Sequence, residues 1–186
     1  MSDHPSIRPE TKRFDLAVQI RNFEIELFWK RSLFFWGFIA SAFVGYAALR
    51  KSSPELGILI ACFGMVCSLA WTLLNRGSKY WQENWETKVE RLEPEVTGKL
   101  FAEEEAIQFH KGWWLRARTY SVSKLVIALS DYVFLLWFVL VIAELLRKYA
   151  PAYGESLRTY GLALFVTFSI IYTILLMVFG RKSVRP

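Results

Sequence analysis

Ligands for a soft metal are scarce in this sequence: two cysteines and two histidines among 186 residues. Cys62 and Cys67 lie five residues apart, on different faces of a helix and inside one apolar run. Neither a disulfide nor a metal site is expected of them, and both read as small apolar packing residues. His4 stands in an N-terminal tail. His110 follows Glu103, Glu104 and Glu105 without a second close histidine or cysteine, so the acidic triplet reads as a solvated helix face. A phosphate loop is missing as well: Thr97-Gly98-Lys99-Leu100 lacks the rest of that motif. No Ser-His-Asp or Cys-His set can be placed from the spacing. Together these gaps argue against an enzyme, and no cofactor or metal is expected. No cleavable signal peptide is evident, because the first 30 residues are too charged and lack the basic stretch, apolar core and cleavage site in order. The first apolar run would then serve as its own insertion signal.

Charge is also absent over long stretches. Ser32 to Leu49, Leu56 to Leu74 and Tyr160 to Gly180 contain none, and Val122 to Ala143 contains only Lys124 and Asp131. Hydrophobic residues make up 54% of the chain, against the usual apolar share of about 45–50%, and the excess sits in these four runs. Each is near the roughly 20 residues that cross about 30 Å of hydrocarbon. Backbone groups in lipid must bond within their own segment, so each run is read as a helix. The fold class expected is all-α: a polytopic membrane protein with four transmembrane helices and a small helical cytoplasmic subdomain.

The net charge of +6 is unevenly spread. Counting Lys124 at the start of the third run with the central region, the segments before the first run, between the second and third, and after the fourth hold eighteen Lys and Arg; the two short connections hold five. The positive-inside rule places both termini and the central region in the cytoplasm. The basic balance then reflects topology and lipid headgroup contact, and no nucleic-acid partner is expected. The segments are 1–31, a cytoplasmic tail and amphipathic helix; 32–74, a first transmembrane hairpin; 75–121, a cytoplasmic helical region; 122–180, a second hairpin; and 181–186, a cytoplasmic basic tail.

Met1 to Thr11 reads as disordered, with Pro5 and Pro9 and little to bury. From Phe14 an amphipathic helix is expected, with Leu16, Ile20, Phe23 and Leu27 on its apolar face and Asp15, Gln19, Asn22, Glu26 and Lys30 beside them. It fits either the membrane surface or packing on the central helix; Glu24 and Glu26 favour packing on protein. In the second run Gly57, Ala61, Gly64 and Ser68 form a small-residue stripe, suited to packing within the chain or between copies. The helix of the second run continues past Asn75-Arg76 into water. There Trp81, Trp85, Val89, Leu92 and Val96 make an apolar seam for one partner helix: the N-terminal helix, a later helix of the central region, or a second copy. Pro94 and Thr97-Gly98 end it, a second short helix follows through Phe109, and Trp113-Trp114 marks the return to the interface.

Asp131 is the lone intramembrane acid, about 13 Å into its span at about 1.5 Å per residue. A charge there is expensive and often marks a functional site. With Ser130, and with Tyr172 and Thr173 facing it from the fourth run, it forms a candidate intramembrane polar site; a locally hydrogen-bonded or protonated carboxyl is the simpler alternative. Pro151 and Gly154 are expected to break the helix in a connection from Glu144 to Thr159.

The segments from Arg21-Asn22-Phe23-Glu24-Ile25 to Trp29, and from Asn75-Arg76-Gly77-Ser78 to Trp85-Glu86, resemble an uncharacterised family of small bacterial multi-pass inner-membrane proteins. A paired-span hairpin with a cytoplasmic helix also looks like the two-transmembrane effector domains of bacterial nucleotide-signalling and defence systems, which the resemblance implies would assemble and perturb the membrane; this chain adds two further spans. The function expected is an oligomeric membrane scaffold, sensor or effector in the inner membrane. It would partner the lipid bilayer and either further copies of itself or a cytoplasmic protein, through Trp81, Trp85, Val89, Leu92, Gly57, Ala61, Gly64 and Ser68. The alternative is a small channel or proton-coupled carrier subunit that uses Asp131.

Overall fold

A computed structural model describes residues 8–101 and 120–180. Four helices carry the chain: α1, Pro9–Leu49; α2, Pro54–Leu92; α3, Val122–Tyr149; and α4, Pro151–Phe179. All four contain a stretch long and apolar enough to cross a membrane. Three begin on a proline, which has no N–H to lose at the first helical position and a φ already suited to it. This corrects two expectations. Pro9 to Thr11 are helical, and Pro151 starts α4 after a break of one residue, Ala150, where a longer connection was expected. The second short helix expected through Phe109, the aromatic return at Trp113-Trp114 and the tail beyond Gly180 lie outside the described residues.

The described residues form two compact units, 8–31 with 76–101 and 32–75 with 120–180. In the first, Phe14 and Ala17 of α1 pack on Val89 of α2, flanked by Val18, Trp85, Leu92 and Val96. The partner of the α2 seam is therefore the N-terminal helix. The face of that helix differs from the one expected, since Leu16 and Phe23 are more than half exposed while Phe14, Ala17 and Phe28 are buried. A different stripe, through Phe14 and Ala17, meets the Val89 seam and is the one covered. After α2 the chain turns on a 3-10 segment, Glu93–Glu95, that holds Pro94. The buried Glu93 carboxylate accepts the N–H of Phe101 at 2.7 Å. Gly98 permits this return with φ +77°, a region closed to most side chains.

In the second unit α1 and α2 are joined across Arg50 to Ser53, and the turn is tight: a Cβ on Gly57 would stand 3.0 Å from the Arg50 Cα. Buried positions of α2 here include Gly57, Ala61, Gly64, Ser68, Trp71 and Asn75, alternately four and three apart, with Thr72 beside Trp71. That is the heptad seam of helices packed side by side. The core gathers Ala42 and Tyr46 of α1, Ala61 of α2, and Trp137 and Val141 of α3. Phe43 stacks on the Trp137 indole with ring centroids 4.2 Å apart. Trp71 donates its indole N–H to the Ser32 hydroxyl at 3.3 Å.

Helix α4 leans on α3. The Tyr172 hydroxyl donates to the Ala128 carbonyl at 2.7 Å, Tyr132 and Ser169 share a hydrogen bond of 2.8 Å, and Tyr132 stacks on Phe168. None of the apolar stretch of α4 is buried, so most of its surface is left for lipid or for another protein.

Candidate functional site

Among the described residues of the second unit, a cleft with charged residues in its wall lies toward each end of α3. The first centres on Glu144, which is 3% exposed. Three groups converge on its carboxylate. Tyr46 donates its hydroxyl proton to Oε1 at 2.5 Å. Arg50 brings Nε to 3.6 Å of the same oxygen, an ion pair too long for a hydrogen bond. Arg147 donates to Oε2 from one turn further along α3. Tyr46 and Arg50 are themselves joined, since the guanidinium lies 5.3 Å from the ring centroid. A buried carboxylate is tolerable only with its charge met and its lone pairs filled, and this arrangement supplies both. Beside it, Lys148 pairs with Glu55 at the start of α2, 3.2 Å away. A cleft of about 640 Å³ opens there, walled by Ser53, Glu55, Leu56, Ile58, Arg147 and Lys148.

Sequence reasoning missed this cluster because it ended the third span at Ala143 and gave Glu144 to a loop. The missed signal is the buried spacing of α3, Val126, Ser130, Trp137, Val141 and Glu144. Followed past Ala143, it puts the acid on the same face as the indole.

The second cleft, about 310 Å³, is lined by Lys124, Ile127, Ala128, Asp131 and Tyr172, with the end of α4. The four residues proposed from sequence thus part company. Asp131 and Tyr172 share the cleft. Ser130 is fully buried and donates to the Ile127 carbonyl of its own helix at 2.7 Å, and Thr173 donates to the Ser169 carbonyl at 2.8 Å. Neither lines the cleft. Tyr172 spends its hydroxyl proton on Ala128.

The interface residues divide in the same way. Val89 is buried against the N-terminal helix with Trp85 and Leu92 partly covered beside it, and Lys88 holds its ammonium 3.9 Å from the Trp85 ring centroid. Trp81 lies outside that cluster, 50% exposed, with its ring edge-on to the more open Tyr80. The small-residue stripe is used within the chain: Gly57 lies against Arg50, and Ala61 and Gly64 lie against Trp137. Ser68 is buried and donates to the Gly64 carbonyl at 2.7 Å. Of the two packings expected for the stripe, the one within the chain is the one these contacts describe.

No curated protein and no solved structure matches the chain. Residues 11–146, which take in nearly all of α1, all of α2 and most of α3 and end before α4, match a family described as octameric membrane proteins (8xMP). With four helices fit to cross a bilayer and a match over most of its length, the chain is an integral membrane protein, of oligomeric type by its family's description, and belongs to the octameric membrane protein family.

Proposed function

We propose that this protein is a non-enzymatic scaffold, sensor or effector that works as a homo-octamer in a bacterial inner membrane, with both termini and the region 75–121 in the cytoplasm. The observation that carries the reading is the family match, whose description gives the eightfold assembly. The eighteen-to-five split of basic residues supports the orientation. The exposed Trp81 and Tyr80, together with the uncovered length of α4, supply apolar surface for neighbouring copies. The effector sense draws on the hairpin-and-helix layout. Amine-reactive crosslinking in intact membranes tests it: a ladder of bands that stops at eight chains supports the octamer, and a single-chain band at every dose refutes it.

A second reading is favoured by the cleft that Asp131 shares with Lys124 and Tyr172. Here the protein is a small channel or proton-coupled carrier subunit. Proton flux into liposomes that disappears in Asp131→Asn supports this reading, and flux that is absent or unchanged removes it.

A further inference from the structure

We propose that the cleft beside Glu144 binds a phosphodiester headgroup, seated on Arg147, Lys148 and the first turn of α2. The local charges are unequal: Arg50, Arg147 and Lys148 face two carboxylates, Glu55 and Glu144. Glu144 already has two guanidinium groups and the Tyr46 hydroxyl, so its charge is met without Lys148, and the cluster as a whole keeps one positive charge in excess. Lys148 is held by an exposed pair with Glu55, itself 82% exposed, and lies 5.6 Å from the centroid of the Tyr149 ring. Such pairs contribute little and exchange readily. A guanidinium carries five N–H donors in a fork that suits phosphate oxygens, and Glu144 is met from one nitrogen of the Arg147 fork. Ser53 and Gly57 spend their N–H groups on the Leu49 and Ser53 carbonyls and Pro54 has none, which leaves those of Glu55 and Leu56, with the positive end of the helix dipole, to favour an anion at the start of α2. Leu56 and Ile58 give the same cleft an apolar wall, which suits a glycerol backbone and the start of an acyl chain. Glu55, once released from Lys148, is placed to meet a headgroup ammonium. The shared chemistry is the phosphoryl group, whether it comes from a lipid or from free phosphate. This assignment is independent of the number of copies in the assembly.

The test uses the full chain in a non-ionic detergent and counts retained lipid by native mass spectrometry. Phosphatidylglycerol is the probe, diacylglycerol the control that lacks phosphate, and inorganic phosphate the competitor. The result expected is one phosphatidylglycerol per chain, affinity lowered about tenfold in Lys148→Gln by loss of one charge-assisted contact, and no retention in Arg147→Gln/Lys148→Gln. Diacylglycerol is not retained. If inorganic phosphate raises the unfolding temperature of the wild type but not of Lys148→Gln, and the lipid adds nothing, the phosphoryl group is taken from solution and the site stands. Equal retention by wild type and Lys148→Gln overturns the proposal, as does diacylglycerol binding as well as phosphatidylglycerol, or neither phosphatidylglycerol nor phosphate binding. Lys148→Gln keeps the test decisive should removal of Arg147 unsettle Glu144.

Discussion

Gly64 and Trp137 are fitted to one another: the indole, fully buried, lies across α2 where any Cβ at position 64 would overlap its ring. A residue without a side chain lets the largest one approach a helix backbone. Around that contact α1, α2 and α3 share one core.

Gly64→Val should therefore cost about 1–3 kcal/mol by overpacking, and Trp137→Ala about 3–5 kcal/mol by opening a cavity. Because the two residues touch, their effects should not add, and the double variant should be milder than the sum. Unfolding midpoints in detergent measure this. A Gly64→Val midpoint equal to that of the wild type would contradict the packing described.

Glu144→Gln removes the charge that two guanidinium groups share, and breaking a buried pair costs about 3–5 kcal/mol. Tyr46→Phe removes one hydrogen bond to a charged acceptor, about 1.5–3 kcal/mol. The order of midpoints should be wild type, then Tyr46→Phe, then Glu144→Gln. If Glu144→Gln is as stable as wild type, the carboxylate does not hold α1 to α3.

In the other unit, Val89→Asp places a charge where Phe14 and Ala17 pack, and it should open that unit to trypsin at Lys79, Lys88 and Arg91. Trp81→Ala, at an exposed position, should change stability by no more than about 0.5 kcal/mol while weakening contact between copies. Equal cleavage of Val89→Asp and wild type would show that the seam does not depend on Val89.

The four spans were legible because an apolar run near 20 residues has few alternatives in any fold. The α2 seam was legible in its periodicity, since Trp85, Val89 and Leu92 recur at helical spacing. Periodicity names a face and not its partner, so the stripe Gly57, Ala61, Gly64 and Ser68 gave no hint of Trp137, and the face expected of the N-terminal helix, Leu16 to Leu27, differs from the one through Phe14 and Ala17 that meets Val89. Glu144 was lost for a different reason. A charge at the end of an apolar run looks like an exit from the membrane, whereas here α3 runs on to Tyr149, and Tyr46 of α1 and Arg50 of the turn after it meet the acid.

The most direct test of the account is the mass of the purified particle in mild detergent, by light scattering corrected for bound detergent. The account predicts a single species at eight times the 21.7 kDa of one chain, unchanged on dilution across the micromolar range. A particle of one chain's mass, with no second protein copurifying, would contradict it.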